Sequence, residues 1–563
     1  MNLLPLRFRL PRAARRLFGW PSLRPGQYRP MRALMKGRDV LVVLPTGGGK
    51  SAVYQLPGAL RAGPALVVSP LLALQEDQLA GLNAREDQTL SAVRVSSAQT
   101  PKQQRAALDA IRDGHAKFLF ITPEQLANPE RMAEVKALKP GLVAVDEAHC
   151  VSAWGYDFRP DYLQLGHLID ELTDGCGRPP IAALTATASP PVRADIAEAL
   201  RLRDPLVEVT GLDRPNLRLA AVHCVTDEQR WTRLLARLRQ ETREGNLPGI
   251  VYAPTRAAAE QLAARLTEAG VPATAFHAGL STGERTRRYD DFMADRITVM
   301  VATSAFGMGV DKPGIRFVHH VALPDSPDSY LQEIGRAGRD GRPASTVLFF
   351  RPEDVALQRY FASGNPQQHE LVQLAAALRE GPTTKTALTQ RTGLPARRLT
   401  QLLGLLERVG AVTVGAASLL TVPAYAPSPA RAAADALVQF DRYQTRRRSQ
   451  IDMMRQFAES GRCRGRALLA YFGEEVTNDC GHCDNCAPGP AGSPGTREAR
   501  KTPAARKGGD EPFPVASAVR HSEWGAGTVM SYEHDRMIVL FEEVGYKTLS
   551  VPIVRKGNLL EAV

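Results

Sequence analysis

Short apolar runs rich in β-branched residues alternate with longer amphipathic stretches in the first two thirds of the chain. Runs this short and this continuously apolar are typical of strands buried on both faces of a sheet. The predicted strands are Val40–Leu44, Ala65–Ser69, Phe118–Ile121, Leu142–Val145, Ile181–Leu184, Ile250–Tyr252, Thr298–Val301, Phe317–Val321 and Val347–Phe350. Strands spaced by helices predict an α/β fold with parallel sheets.

The apolar runs are too many for one compact domain, and a polar Asp-Arg-Pro-Asn step at residues 213–216 interrupts their rhythm. We therefore predict two parallel-sheet domains, residues 1–210 and 211–352.

Beyond residue 352 the pattern becomes helical and later β-like. In residues 353–435, two helices flank a turn at Gly393 and a short hairpin follows, which predicts a winged-helix-like element; simple scaffolding is the alternative. Residues 488–514 are rich in Pro, Gly, Ala, Lys and Arg and predict a flexible linker. Residues 515–563 alternate apolar and polar positions between glycine turns, which predicts a small β-barrel.

The composition is that of an ordinary water-soluble protein, but the net charge is +12 over 563 residues. This charge indicates a polyanionic partner, of which nucleic acid is the commonest, although an Arg-rich composition can also reflect a GC-rich genome. No apolar stretch is long enough for a signal h-region or a membrane span. We therefore expect a cytoplasmic protein with no membrane partner, nucleoid-associated if the source is bacterial.

Four of the seven cysteines cluster late in the chain, and an odd total does not indicate a disulfide framework. Cys463 is followed by a sixteen-residue gap and then by two CxxC steps formed by Cys480, Cys483 and Cys486. This spacing predicts a closed, structural Cys₄ zinc site within residues 436–487. A site made of three cysteines and His482 is the alternative.

The stretch DVLVVLPTGGGKS, residues 39–51, combines an apolar run, a glycine-rich turn, a lysine and a hydroxyl. Because glycines lack Cβ atoms, the turn can curl around a phosphate chain at the positive end of the following helix. Lys50 would reach the β- and γ-phosphates, and Ser51 would hold Mg²⁺. The nucleotide-binding set predicted here is Thr46, Gly47, Gly48, Gly49, Lys50 and Ser51. A glycine turn without a ligand is the alternative, and Leu44 replaces the usual first glycine.

An acidic motif, Asp146-Glu147-Ala148-His149, follows the strand Leu142–Val145. Ligands of open α/β sheets bind at such strand ends. Asp146 could hold Mg²⁺ through water, while Glu147 orients and deprotonates the water that attacks the γ-phosphate.

In the second predicted sheet, Arg336 and Arg339 are three residues apart, so on a helix both would face one side. If the two sheets face each other, these arginines could stabilise the transition state of phosphoryl transfer. A solvated basic helix is the alternative.

A series of motifs occurs in one order along the chain. They are FGW with LRPGQ at 18–27, PTGGGKS at 45–51, SPLLALQEDQ at 69–78, TPE at 122–124, DEAHC at 146–150, WGYDFRPDY at 154–162, LTATA at 184–188, DRPNL at 213–217, HAGL at 277–280, ATSAFGMGVDKP at 302–313 and QEIGRAGRDG at 332–341. Together with the cysteine spacing, this series resembles the RecQ family of superfamily 2 DNA helicases, which implies two RecA-like motor domains.

The resemblance implies roles for further residues. Gln27 would read adenine with Arg24 beside it, and Asp311, where some members have Asn, would join the nucleotide site. His149 and Gln332 would link nucleotide state to DNA, and Arg336 with Arg339 would act as arginine finger. Aromatic and basic residues of the 154–162 loop would stack on single-stranded DNA, although packing is an alternative; these are Trp154, Phe158 and Arg159.

The implied activity is ATP-dependent 3′-to-5′ DNA unwinding in repair and recombination, with ATP, Mg²⁺ and Zn²⁺ as cofactors and single-stranded and tailed or forked duplex DNA as partners. A translocase that does not separate strands and an ATP-binding scaffold are the alternative functions.

Eight arginines between Arg442 and Arg466 suggest a duplex-phosphate surface. A winged helix before the zinc module departs from the family's order. The tail resembles the Tudor/SH3-like domain of UvrD-type helicases and would by that similarity dock on RNA polymerase or another protein.

Overall fold

The structure is a computed structural model that describes residues 5–45, 47–70, 72–85, 90–152, 162, 165–172, 177–307, 312–362, 366–414, 419–474, 478–487, 512–514, 517–533, 536–541, 544–557 and 559–563. Five predicted site residues lie outside this part of the chain, namely Thr46, Trp154, Phe158, Arg159 and Asp311. Almost all of the predicted linker does so too.

The chain divides into two compact units. The first comprises Met1–Leu212 and Ser363–Gln444, and the second comprises Asp213–Ala362 and Thr445–Val563. No described helix meets the length and apolarity that a membrane span requires.

The first unit contains a seven-stranded, all-parallel sheet in the order β3-β4-β2-β5-β6-β1-β7. Its strands are β1 (Val40–Val43), β2 (Ala65–Val68), β3 (Ala92–Val95), β4 (Phe118–Ile121), β5 (Leu142–Val145), β6 (Ile181–Thr185) and β7 (Leu206–Val209). Its helices are α1 (Leu6–Phe18), α2 (Tyr28–Met35), α3 (Lys50–Leu60), α4 (Leu72–Asn83), α5 (Pro101–Arg112), α6 (Pro123–Leu126), α7 (Pro129–Ala137), α8 (Leu165–Glu171) and α9 (Pro190–Ala199), with a 3₁₀ turn at Ala148–Val151.

The prediction of a parallel sheet from apolar runs is confirmed for the five interior strands. The runs did not predict the two edge strands, β3 and β7, because each is only partly buried. Arg94 and Glu208 interrupt their apolar character. Edge strands need less apolar surface than central ones, so a rule based on continuous apolar runs overlooks them.

The second unit contains a six-stranded, all-parallel sheet in the order β10-β11-β9-β12-β13-β8. Its strands are β8 (Leu217–His223), β9 (Gly249–Tyr252), β10 (Ala273–Phe276), β11 (Val299–Ala302), β12 (Phe317–His320) and β13 (Ala344–Phe350). The helices around it are α10 (Asp227–Arg243), α11 (Arg256–Glu268), α12 (Thr282–Met293), α13 (Pro327–Ile334) and α14 (Glu353–Ala362). The strands that were not predicted, β8 and β10, again lie at the edges.

The helical region of the first unit has its own leucine-rich core. Its elements are α15 (Gln368–Leu378), α16 (Lys385–Thr392), α17 (Ala396–Arg408) and the antiparallel pair β14 (Thr413–Val414) and β15 (Leu420–Thr421). The turn predicted at Gly393 is present, with φ 68° at the end of α16. The long helix α18 (Pro429–Glu459) follows, and its residues from Thr445 onward belong to the second unit.

The remainder of the second unit holds α19 (Arg464–Tyr471), the cysteine cluster and a C-terminal sheet. The sheet contains β16 (Ala518–His521), β17 (Gly525–Glu533), β18 (Arg536–Phe541), β19 (Gly545–Ser550) and β20 (Leu560–Ala562), with α20 (Val551–Gly557) between the last two. The strands pair antiparallel in the order β19-β18-β17-β16-β20. Among the described residues these pairings form a five-stranded antiparallel sheet.

Candidate nucleotide site and candidate zinc centre

The predicted phosphate loop connects β1 to α3. Gly47 and Gly49 have φ values of 81° and 80°, which side chains other than glycine rarely adopt. A Cβ atom on Gly48 would lie 2.9 Å from the carbonyl oxygen of Pro45. Helix α3 starts at Lys50 without a side-chain cap. Its first N–H groups are therefore oriented to receive an anion, and the loop fits a nucleotide phosphate chain.

Two residues upstream of β1 support this loop. The Gln27 amide is 4% exposed; it donates to the carbonyl oxygen of Gly49 at 3.0 Å and accepts from the backbone N–H of Arg24 at 2.8 Å. The Arg24 guanidinium donates to the carbonyl oxygen of Gly47. The structure therefore brings both predicted adenine-site residues onto the phosphate loop, where they hold its backbone; adenine recognition by Gln27 stays a prediction.

The acidic pair lies directly after the buried strand β5. Asp146 and Glu147 are 6% and 8% exposed. Burial and the neighbouring Glu147 raise the pKa of Asp146 to about 6, while the Lys50 charge acts in the opposite direction. Glu147 has φ 48°, a left-handed conformation that is uncommon for a residue with a side chain. Lys50 and Glu147 are therefore close enough to Asp146 for their charges to act on it, and the catalytic roles of the three residues stay predictions.

A tyrosine–glutamine pair that we did not assign from the sequence orients Asp146. The Tyr54 hydroxyl donates to the side-chain oxygen of Gln78, and the Gln78 nitrogen donates to Asp146 Oδ2 at 3.1 Å. Burial and the Asp146 charge hold the pKa of Tyr54 well above its usual value, so its hydroxyl stays protonated. Gln78 closes the SPLLALQEDQ motif, and this polar position on α4 was the available signal.

His149 connects the acidic motif to the neighbouring strand β6. Its Nδ1 atom lies 2.9 Å from Thr185 Oγ1 and 3.3 Å from Glu147 Oε2. Burial alone would lower the pKa of His149, but the Cys150 thiol and the Glu147 carboxylate raise it above its ordinary value. Thr185 ends β6, between β5 and β1 in the sheet. Thr185 belongs to the LTATA motif, and its hydroxyl at a strand end was the available sequence signal for this contact.

The arginine segment belongs to the second unit and differs from its predicted conformation. Helix α13 carries the buried Gln332 and ends at Ile334, so Arg336 and Arg339 lie in turns and not on one helical face. Gly338, at φ 60°, accompanies this change of direction. Arg336 is 3% exposed and contacts Tyr252. Its guanidinium is thus held by the fold, which argues against a solvated basic helix.

The four predicted zinc ligands come together in the second unit. The sulfur atoms of Cys463, Cys480, Cys483 and Cys486 all lie within 4.8 Å of one another. Tetrahedral zinc bound to thiolates at about 2.3 Å requires sulfur–sulfur distances of about 3.8 Å, so the four residues fit Zn²⁺. Backbone N–H groups of Arg464, Arg466 and Cys480 donate to two of these sulfurs, as expected for a centre that carries negative charge.

His482 is oriented by a different contact. Its Nδ1 atom donates to the carbonyl oxygen of Cys480 at 2.6 Å, and among the described residues the ligand cluster consists of cysteines. A Cβ atom on Gly465 would lie 2.9 Å from Cys480 Cβ, which explains the glycine at this position. The geometry favours the Cys₄ set over the alternative with His482.

Several of the late arginines have protein partners, which reduces the predicted phosphate surface. Arg464 is 5% exposed on its side chain and pairs with Asp484 at 2.6 Å, and Arg447 pairs with Asp325 at 3.1 Å. Arg462 donates to a backbone carbonyl oxygen. These arginines stabilise the second unit internally, so the eight cannot all be counted as sites for DNA phosphates.

Three family models match the chain in order. They are the DEAD/DEAH box helicase domain over residues 24–195, the helicase conserved C-terminal domain over 230–341 and the RecQ zinc-binding domain over 433–487. The first model contains the phosphate loop and the acidic motif, the second contains the arginine segment, and the third contains the four cysteines.

The curated relatives that the chain resembles are named as DNA helicases. The probable ATP-dependent DNA helicase RecS of Bacillus subtilis is 40% identical over 342 residues, 61% of this chain and 66% of the relative. The ATP-dependent DNA helicase RecQ of Haemophilus influenzae is 35% identical over 485 residues, 86% of this chain and 64% of the relative.

The ATP-dependent DNA helicase Q5 of Rattus norvegicus is 40% identical over 356 residues, 60% of this chain and 36% of the relative. The chain thus spans less than two thirds of the length of these relatives. With the helicase domains, the zinc-binding domain and the cysteine cluster all in the expected order, the chain belongs to the RecQ family.

Proposed function

We propose that this chain is an ATP-dependent DNA helicase that moves 3′ to 5′ and separates duplex DNA in repair and recombination. The observation that carries the proposal is the shared site of Lys50, Asp146 and Glu147, in which a buried acidic pair lies within the electrostatic reach of the phosphate-loop lysine. A site built only to bind nucleotide does not need a second buried carboxylate beside the first, because that carboxylate is costly to desolvate.

The chemistry divides among residues of the first unit. Lys50 and the N–H groups at the start of α3 bind the β- and γ-phosphates, and Glu147 orients the attacking water and accepts its proton. Ser51 and Asp146 would hold Mg²⁺, which neutralises charge on the phosphate oxygens when bound. Gln78 keeps Asp146 oriented through a hydrogen bond of 3.1 Å. Thr46 and Asp311 complete the proposed nucleotide set, and Gln27 with Arg24 supports the loop or reads adenine.

We assign Arg336 and Arg339 to transition-state stabilisation in ATP hydrolysis. An arginine finger contributes about 10³–10⁵ in rate in related phosphoryl-transfer systems. The burial of Arg336 supports this assignment, since a buried guanidinium is pre-oriented and loses little freedom when it acts.

For DNA, the proposed contacts are Trp154, Phe158 and Arg159, with His149 and Gln332 reporting nucleotide state to them. The contact of His149 with both Glu147 and Thr185 supports the reporting role, because a displacement of Glu147 during hydrolysis would reach the His149 ring through that contact. Single-stranded and tailed or forked duplex DNA are the proposed substrates.

The finer architecture is also proposed. Helices α15 to α17 with the β14–β15 pair have the composition of a winged-helix element, and the C-terminal sheet has the strand number of a small Tudor/SH3-like barrel that would bind RNA polymerase or another protein. We expect the chain to act in the cytoplasm, on the nucleoid if the source is bacterial.

Strand separation tests the proposal. A fluorophore–quencher duplex with a 3′ single-stranded tail should separate on addition of Mg²⁺·ATP, whereas a matched 5′-tailed duplex should not. Lys50→Ala is the control for ATP dependence, and DNA-stimulated phosphate release is measured in parallel. Robust DNA-stimulated ATP hydrolysis without strand separation would indicate a translocase and not a helicase. If the protein neither hydrolyses ATP nor separates strands, it is a nucleotide-binding scaffold.

A further inference from the structure

Two of the places where the zinc module contacts the rest of the second unit are the edge strand β8 and the start of α13. At the edge strand β8, the backbone N–H of Asp484 donates to the carbonyl oxygen of Leu219 at 3.0 Å. The Asp484 carboxylate accepts from the backbone N–H of Ala221 at 3.0 Å. At the start of α13, the hydroxyl of Tyr471 from α19 donates to Asp328 Oδ2 at 2.6 Å. The second attachment reaches the helix that leads to the arginine segment.

The Tyr471–Asp328 contact is fully enclosed. Tyr471 is 3% exposed and Asp328 is 2% exposed. A carboxylate buried to this degree is stable only with strong hydrogen bonds, and a bond to an ionised group contributes more than a bond between neutral groups. Two residues further along α13, the Tyr330 ring lies 5.1 Å from the Phe457 ring of α18. The zinc module therefore holds α13 by a directional contact and by an aromatic one.

The C-terminal sheet in turn holds Tyr471. The hydroxyl of Tyr546 on β19 donates to the carbonyl oxygen of Tyr471 at 3.1 Å, and the two rings stack with centroids 4.9 Å apart. Tyr546 is fixed by Ser449 of α18, whose hydroxyl accepts from the Tyr546 N–H at 2.6 Å and donates to the Tyr546 carbonyl oxygen at 3.2 Å. Gln456 and Thr548 form a further side-chain pair at 3.0 Å. This face of the C-terminal sheet thus packs against α18 and Tyr471 and stabilises the position of Tyr471.

Helix α13 is short, carries Gln332 and ends two residues before Arg336. A displacement of its first turn would therefore move the arginines. Because catalytic charge must be positioned within a fraction of an ångström, an error of about 1 Å can cost about 10²-fold in rate.

We propose that Tyr471 is a positioning residue for ATP turnover: it fixes the start of α13 through Asp328, and the C-terminal sheet acts on turnover through Tyr546. This inference rests on the proposed function of the arginine segment. It gives the C-terminal sheet a role within the chain itself.

Tyr471→Phe is the main test, because it removes the hydroxyl and keeps the stacked ring. With full-length protein at saturating single-stranded DNA, kcat for ATP hydrolysis should fall about 5- to 50-fold, while KM for ATP stays within about twofold, since the contact acts on the transition state and not on ATP binding. Tyr546→Phe should give a smaller loss in the same direction, about 2- to 5-fold, because its hydroxyl acts one contact further away.

Tyr532→Phe is the matched control. Tyr532 lies on β17 of the C-terminal sheet, and its hydroxyl also makes backbone hydrogen bonds, in this case with Phe513. Zinc content and the thermal unfolding midpoint are measured for every variant. Unchanged kcat in Tyr471→Phe overturns the proposal, and so does a loss of kcat that accompanies loss of zinc or of cooperative unfolding, which would indicate a structural role only.

A double-mutant cycle identifies the path. If Tyr471 acts through Asp328, the combination of Tyr471→Phe with Asp328→Asn should cost no more than the more damaging single change, whereas additive losses would overturn the assigned route. An unaffected Tyr546→Phe beside an impaired Tyr471→Phe overturns the part given to the C-terminal sheet. If the unsubstituted protein lacks DNA-stimulated hydrolysis, the proposed function itself fails, which is distinct from an active protein indifferent to Tyr471→Phe.

Discussion

The phosphate loop lies at the end of a strand buried on both faces, whereas the four cysteines lie in turns around the short helix α19. In the first site, protein groups already hold the loop and the acidic pair, through Gln27, Arg24 and Gln78. In the second, four sulfur atoms converge on one point, and in the thiolate form that binds zinc they would repel one another unless a cation lay between them. A nucleotide site can therefore be prepared without its ligand, while a zinc centre needs its metal to be stable.

The largest expected effect is at the nucleotide site, whose loop and acidic pair are held by other protein groups. Glu147→Gln keeps the shape of the side chain but removes the base, so turnover should fall by about 10²–10⁴-fold with ATP affinity within a few-fold of the original. Single-turnover phosphate release and equilibrium binding of a fluorescent ATP analogue measure the two quantities. Glu76→Gln, an exposed carboxylate of the same unit paired with Arg94, is the matched control. Retained turnover in Glu147→Gln would refute its role as base.

The zinc centre should respond in stability before it responds in chemistry. Cys480→Ala should lose most of the bound metal, which we expect at about one zinc per chain, and should lower the free energy of unfolding of the second unit by several kcal/mol. Metal analysis and denaturant unfolding measure these changes. Cys224→Ala, a buried cysteine in the same unit but outside the cluster, should retain zinc. A metal-free protein with unchanged unfolding would remove the contrast between the two sites.

Binding of Mg²⁺·ATP at the nucleotide site should depend on pH through Asp146. Since the pKa of Asp146 is raised to about 6, its carboxylate is ionised above that pH and protonated below it. Binding of Mg²⁺·ATP should therefore weaken as pH falls through about 6. Gln78→Leu removes a hydrogen bond that favours the ionised form, so the acid limb should move to higher pH.

Gln103→Leu is the control for this shift, because Gln103 lies in an exposed capping box at the start of α5. An acid limb that stays in place when Gln78 is replaced would show that the glutamine does not tune Asp146.

The smallest effect is expected at His482. Because its Nδ1 atom is oriented onto the Cys480 carbonyl oxygen and four sulfurs already complete a tetrahedral set, His482→Ala should keep its zinc and alter metal affinity by less than about tenfold, the lower range for groups outside the ligand shell. Competition with a chromogenic chelator measures the affinity. Loss of the metal would restore the alternative ligand set.

Local patterns predicted most of the architecture. Central strands, the glycine turn, the acidic strand end and the cysteine spacing all depend on residues close together in sequence. Edge strands β3, β7, β8 and β10 escaped prediction, because partial burial weakens the apolar signal. The arginine segment was wrongly expected to be helical, since two arginines three apart do not distinguish a helix from the turns around Gly338.

The sequence by itself determined which residues carry charge, thiol and backbone freedom, because those properties belong to single side chains and short spacings. Only the tertiary structure decided what those groups touch. In the folded chain, Gln27 hydrogen-bonds to the phosphate loop, and Tyr54 contacts Asp146 through Gln78. Arg464 pairs with Asp484, and Tyr471 hydrogen-bonds to Asp328 across 143 positions of the chain. Such contacts join residues far apart in sequence, and they form because packing leaves each buried polar group few partners with which to satisfy its hydrogen bonds.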